Sequence, residues 1–120
     1  MEISGDTDED IIKSLRRSKV RIIVLLFIAH SYAQQANLKE LCNRLNICKA
    51  NILGSLIGSD GRYRYKDSLV GLELLERIES DLDGFKMIHY RITEKGTRIV
   101  KVLENEPVMN TMLGELRALQ

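Results

Sequence analysis

The sequence predicts a mainly α domain carrying a small β-hairpin, and three observations predict it. Apolar residues recur at spacings of three to five through several segments, and most of these segments open on a residue suited to cap a helix. Between Leu75 and Ile92 the pattern changes to two extended runs around a polar, glycine-bearing turn. The 120 residues, 44% of them hydrophobic, suffice for one core, and a split into two domains would leave neither half enough apolar surface.

The elements follow in order. Residues 1–7 read as an acidic, disordered tail, and Asp8, Glu9 and Asp10 suit a helix N-terminus facing the positive end of the dipole. A helical pattern runs from Asp8 to Ser31 through Ile12, Leu15, Val20, Ile23, Val24, Phe27 and Ile28, with Ser18 able to divide it by capping a second helix. Ala33 to Ala36 reads as a polar link. Asn37, with Glu40 three residues on, makes a capping box for a helix striped by Leu38, Leu41 and Leu45 and ending near Asn46. The next helix spans Lys49 to Ile57, with Ile52, Leu53 and Leu56 inward, and Gly58 to Gly61 ends it. Gly61 to Lys66 alternates basic and aromatic residues, so an extended backbone would give it one cationic and one aromatic edge. Ser68 is placed to cap a short helix from Leu69 to Leu74. Strands are expected over Leu75–Glu79 and Lys86–Ile92, joined by Ser80 to Gly84. Thr93 caps a helix to Asn105, and Pro107 starts a last helix ending near Leu119. Three helices followed by a two-stranded hairpin is the winged-helix order, here with an additional C-terminal helix.

Within that order, Leu38 to Leu56 meets three demands of a helix-turn-helix at one spacing. Cys42 is small where a second helix must cross, Asn46 tolerates the left-handed backbone of a tight turn, and Ile47, Ile52 and Leu56 anchor the second helix. Leu75-Glu76-Arg77-Ile78 resembles a first wing strand. Tyr90-Arg91-Ile92-Thr93-Glu94-Lys95-Gly96 resembles the Y-R-L-T-E-K-G stretch that follows the wing in many winged helix-turn-helix transcriptional regulators, small archaeal ones in particular. The resemblance covers about residues 18–103, and the chain as a whole is similar to archaeal regulators of motility-organelle genes. It implies a cytoplasmic protein that binds double-stranded DNA through a helix in the major groove. It departs from the pattern in two places: the recognition helix carries one charge, Lys49, and the wing tip is acidic at Asp81 and Asp83.

Charge distribution agrees with a polyanionic partner. The first ten residues hold five carboxylates and no base, while the body from 11 to 103 carries a net charge of +8 within a chain of net +1. The expected DNA contacts are Lys49, Asn51 and Ser55 on the recognition helix and Arg62, Arg64 and Lys66 on phosphates or in a minor groove. Tyr63 and Tyr65 would anchor that loop on the core. Lys13, Arg16, Arg17, Lys19 and Arg21 suit either flanking phosphates or a solvated helix face. Val108, Met112, Leu116 and Leu119 form a stripe expected to dimerise the chain, so that a twofold pair presents two recognition helices.

Other chemistries are weakly signalled. Cys42 and Cys48 have five residues between them, and His30 and His89 are not spaced as ligands, so no metal or other cofactor is expected. There is no phosphate-binding glycine loop, nucleophile elbow or acid–base pair to suggest an enzyme. Val20 to Ala29 is interrupted by Arg21 and is far shorter than the roughly 20 residues that span a bilayer, so no membrane segment is expected. The rival reading is a winged helix used for protein–protein contact, for example with transcription machinery, and the acidic wing and near-neutral recognition helix favour it.

Overall fold

A computed structural model describes residues 7–59 and 64–105. Among them are five helices, α1 (Asp8–Arg16), α2 (Lys19–Ala29), α3 (Leu38–Leu45), α4 (Lys49–Ile57) and α5 (Glu94–Glu104), and three strands, β1 (Gln35–Ala36), β2 (Leu75–Leu82) and β3 (Phe85–Ile92). The class is therefore mixed α/β, with a three-stranded antiparallel sheet ordered β1-β3-β2 in place of a two-stranded hairpin. Val108, Met112, Leu116 and Leu119, the helix expected after Pro107, and the acidic segment up to Asp6 lie outside the described residues.

Local side-chain chemistry sets the helix ends. Thr7 caps α1 through the Asp10 amide at 3.1 Å, and the Asp10 carboxylate accepts from the Thr7 amide. Ser18 takes extended backbone and caps α2 through the Arg21 amide at 3.3 Å, so the long helical pattern is two helices. The chain between them turns on Arg17. Past Lys19 and Arg21, α2 is apolar on every side, and Ile22, Val24, Leu25, Leu26, Phe27 and Ile28 are all buried. Such a helix has no solvent face to offer, so it lies at the centre, with α1, α4, α5 and β3 packed around it.

β1 pairs with β3 through Gln35 opposite Arg91 and Ala36 opposite Tyr90, and the Ala36 side chain is fully buried. Two residues cannot display a period-two pattern, which is why this segment reads as a polar link in the sequence. β2 and β3 pair from Leu75 opposite Ile92 to Leu82 opposite Phe85. The turn is tighter than expected: Asp83 and Gly84, with φ of 52° and 83°, form the whole connection.

The short helix expected at 69–74 is a pair of turns. The Leu69 and Val70 amides donate to the Ser55 and Leu56 carbonyls, each at 2.9 Å, which satisfies acceptors left open at the end of α4. Glu73 then adopts a left-handed φ of 65°, which ends any helix there. Ser68 does cap, but only this turn, through the Gly71 amide at 3.0 Å.

α5 is tied to α1 by Arg98, whose Nε and Nη2 donate to the Asp8 carboxylate at 2.7 and 2.9 Å. The Arg98 hydrogen bond, foremost, holds the Asp8 carboxyl below the usual aspartate range. A depressed folded pKa contributes stability above the unfolded value of about 3.9, and that contribution is lost as pH falls through the folded value. Asp8→Asn is thus expected to lower the thermal midpoint slightly at neutral pH. The gap to wild type should close as the buffer is acidified below the usual aspartate range; a gap unchanged in acid would show that the ion pair is not its source.

Candidate nucleic-acid interface

α3 and α4 cross over a three-residue turn. The Glu40 amide donates to Asn37 Oδ1 at 2.8 Å and the Asn37 amide to Glu40 Oε1 at 3.3 Å, closing the capping box that starts α3. Asn46 ends α3 at φ 56° and ψ 45°, the left-handed conformation its short amide side chain tolerates. Cys42 is half-buried against the core, as a small residue at a crossing would be. Cys48 stands at the start of α4, and its exposed side chain makes no cap bond. Both cysteines are free thiols.

The first turn of α4 faces outward and the rest does not. Lys49 and Ala50 are exposed, and Asn51 and Leu53 are half-buried. Ile52 and Leu56 are fully buried, with α4 packed on α2 and α3. Ser55 departs from its expected role on the groove-facing side. Its side chain is 0% exposed, its hydroxyl donates to the Asn51 carbonyl at 2.9 Å, and its own carbonyl is taken by the Leu69 amide. Position 55 lies one turn after Ile52 and about 60° around the helix from it, so helical geometry turns it inward beside the buried stripe despite its polarity.

The basic segment after α4 is also not the extended edge expected. Arg64 has extended backbone, but Tyr65–Asp67 is a 3₁₀ turn. The Arg64 guanidinium bonds Asp67 Oδ2 from Nε at 3.0 Å and from Nη2 at 2.9 Å. Lys66 is exposed and Tyr65 is 60% exposed, so this tyrosine does not anchor the loop in the core. Arg62 and Tyr63 lie outside the described residues.

The five N-terminal bases, which the sequence leaves undivided, separate. Lys13, Arg16, Arg17 and Lys19 are exposed, whereas Arg21 is 8% exposed. Arg21 Nη2 donates to the Ser14 carbonyl at 2.7 Å, and Nη1 donates to Ser14 Oγ at 3.2 Å and to the Asp67 carbonyl. Burial pulls its pKa down, and the nearby Asp67 carboxylate opposes that pull. The guanidinium stays charged in water at any ordinary pH.

The hairpin offers no surplus of positive charge. Arg77 and Lys86 both pair with Glu79, and Arg91 pairs with Glu76 across the strands. The Arg77 hydrogen bond, then that of Lys86, holds the Glu79 carboxyl below its usual range. Asp81 and Asp83 are exposed at the tip, beside Leu82 at 63% and Phe85 at 74% exposure. Ile78, Met87, Leu82 and Phe85 share one face by the strand register, an apolar stripe that only the pairing register reveals.

Among the described residues, no group of three or more His, Cys, Asp or Glu gathers into a metal-binding set, and no helix is long and apolar enough to cross a membrane.

A protein-family model described as EarA-like matches residues 11–103 of the chain. An uncharacterized protein of Methanocaldococcus jannaschii is 36% identical over 99 residues, covering 82% of this chain and 86% of that protein. No solved structure matches.

Proposed function

This chain belongs to the EarA-like family, and we propose that it is a winged helix-turn-helix regulator of transcription that binds double-stranded DNA as a homodimer in the cytoplasm. The observation that carries the reading is the run α2-β1-α3-α4-β2-β3 with its sheet ordered β1-β3-β2. A winged helix would have this order, and β1 supplies the strand the sequence did not display. The left-handed turn at Asn46 adds the geometry a helix-turn-helix needs.

In this reading α4 enters the major groove by its N-terminal turn, where Lys49, Ala50, Asn51 and Leu53 meet base edges or phosphates. The positive end of the helix dipole lies at the same place and favours a phosphate. Arg64 and Lys66 meet the backbone beside it, together with Arg62. Dimerisation rests on the sequence stripe Val108, Met112, Leu116 and Leu119. The similarity to archaeal regulators of motility-organelle genes makes such genes the narrower target.

Fluorescence anisotropy of a duplex DNA titrated with the purified chain, across a salt series, tests this. Affinity should fall linearly in log salt with a slope of several. Lys49→Ala should weaken binding roughly tenfold, the size of one lost groove contact, while Lys101→Ala on the exposed side of α5 should not. The second reading, a winged helix that docks on another protein, is favoured by the acidic hairpin tip with its exposed Leu82 and Phe85. Absence of DNA binding even at low salt would select it.

A further inference from the structure

A cleft of about 590 Å³ separates α1 from the 64–67 turn. Four cations line it, Lys13 from α1, Arg17 at its C-terminal cap, and Arg64 and Lys66 at the turn, against two carboxylates, Asp10 and Asp67. Both carboxylates already have work. Asp67 is bonded twice by Arg64, and Asp10 closes the Thr7 capping box. Lys13, Arg17 and Lys66 form no ion pair among the described residues.

These charges come from segments about fifty residues apart, so they are not one solvated helix face. Lys13 on α1 and Arg17 at its C-terminal cap, which keeps helical backbone, lie one helical turn apart on the same side. Beneath the cleft, Arg21 bonds Ser14 on one wall and the Asp67 carbonyl on the other. The two walls are therefore held together by a buried staple before any ligand arrives. Like charges gathered in one concavity repel one another, and a multivalent anion relieves that repulsion while gaining charge-assisted hydrogen bonds.

We infer that the cleft between α1 and the 64–67 turn is a binding site for phosphate groups, prearranged by Arg21 and contacted by Lys13, Arg17, Arg64 and Lys66. Its volume exceeds that of one phosphate and lies in the range of small-ligand sites. The occupant is either consecutive phosphates of a DNA backbone or a free polyphosphorylated molecule. The first alternative rests on the DNA-binding reading above, and the second does not.

The test compares the full chain with a Lys13→Ala, Arg17→Ala double variant, both positions being exposed, after matching thermal melts confirm an intact fold. Each protein is titrated with inorganic tripolyphosphate by calorimetry and with duplex DNA by anisotropy over a salt series. Wild type is expected to bind at least one of the two, with the variant weakened about tenfold or more. A drop of roughly 1.8 in the DNA salt slope, the value for two lost phosphate contacts, places the backbone in the cleft. Tripolyphosphate binding lost by the variant at an unchanged DNA slope places a free phosphorylated ligand there. If wild type ignores DNA yet binds tripolyphosphate in a variant-sensitive way, the site stands and the DNA reading falls. If both proteins bind DNA with equal affinity and slope and the variant leaves tripolyphosphate titrations unchanged, the site is overturned and the DNA reading survives. Failure of wild type to bind either probe overturns both.

Discussion

Alanine in place of Gly96 is expected to destabilise the chain by about 2–3 kcal/mol, opposite to what helix propensity dictates. Gly96 sits in the first turn of α5, where alanine is ordinarily better than glycine by about 1 kcal/mol. Here a Cβ would fall well inside contact distance of the Leu74 carbonyl oxygen, and 2.8 Å from Ile92 Cγ1. The carbonyl cannot retreat, because it accepts from the Thr93 amide at 3.1 Å and from Thr93 Oγ1 at 3.1 Å. Thr93 is also the cap of α5, with the Gly96 amide donating to its hydroxyl at 2.9 Å. Pushing Leu74 away therefore strains the cap and the strand entry together. For a domain of this size the melting temperature should fall by about 10 °C or more. Gly84→Ala makes the comparison: its φ of 83° is unfavourable, but nothing lies within 4 Å, so only the backbone cost of about 1–2 kcal/mol applies. A Gly96→Ala variant as stable as wild type in urea would mean that α5 does not rest on the Leu74 carbonyl. The same contact gives the Thr93-Glu94-Lys95-Gly96 stretch a physical meaning: the threonine caps, and the glycine lets the helix start against the backbone before β2.

Much of the fold was legible because it is written in local chemistry. Ser18, Asn37, Asn46 and Thr93 each mark a helix boundary through a bond or a backbone angle that the residue type favours, and those boundaries stand within a residue or two. What was not legible depends on partners far along the chain. β1 is two residues that become a strand only because β3 is there to pair with them. The turns at 69–74 look helical in sequence, but their amides are claimed by the end of α4. The polarity of Ser55 points to the outer side of α4, but its place one turn after Ile52 buries it. Arg21 looks like one more base on a solvated helix, and only the meeting of Ser14 with Asp67 makes it a buried staple. At the candidate interface, the sequence pattern suffices to put Lys49 at an exposed position of α4. The cleft was invisible, since no spacing rule connects Lys13 and Arg17 to Arg64 and Lys66.

Loss of the Arg21 side chain is the other large effect expected. Its guanidinium carries hydrogen bonds to Ser14 Oγ, the Ser14 carbonyl and the Asp67 carbonyl, and hydrogen bonds from a charged donor are worth about 1.5–3 kcal/mol each before burial is charged against them. Burial is a real opposing cost here, as the downward pull on its pKa indicates, so the sum is not three full bonds. Arg21→Ala should therefore lower stability by about 2–4 kcal/mol, combining the lost bonds with the space left by the side chain. Arg21→Met separates the two contributions, since it keeps most of the volume and none of the donors. If the donors dominate, methionine should recover little of the loss. If packing dominates, it should recover most of it, and the staple would then be only a filler between α1 and the turn. Amide exchange locates the effect: protection of Asp67 and Ser68, whose amides bond the Arg64 and Tyr65 carbonyls, should fall more than that of the β2–β3 ladder. Uniform loss across both would mean that Arg21 supports the whole core rather than holding the 64–67 turn against α1. The turn carries Arg64 and Lys66, so the selective outcome would make one buried arginine responsible for where two surface cations stand.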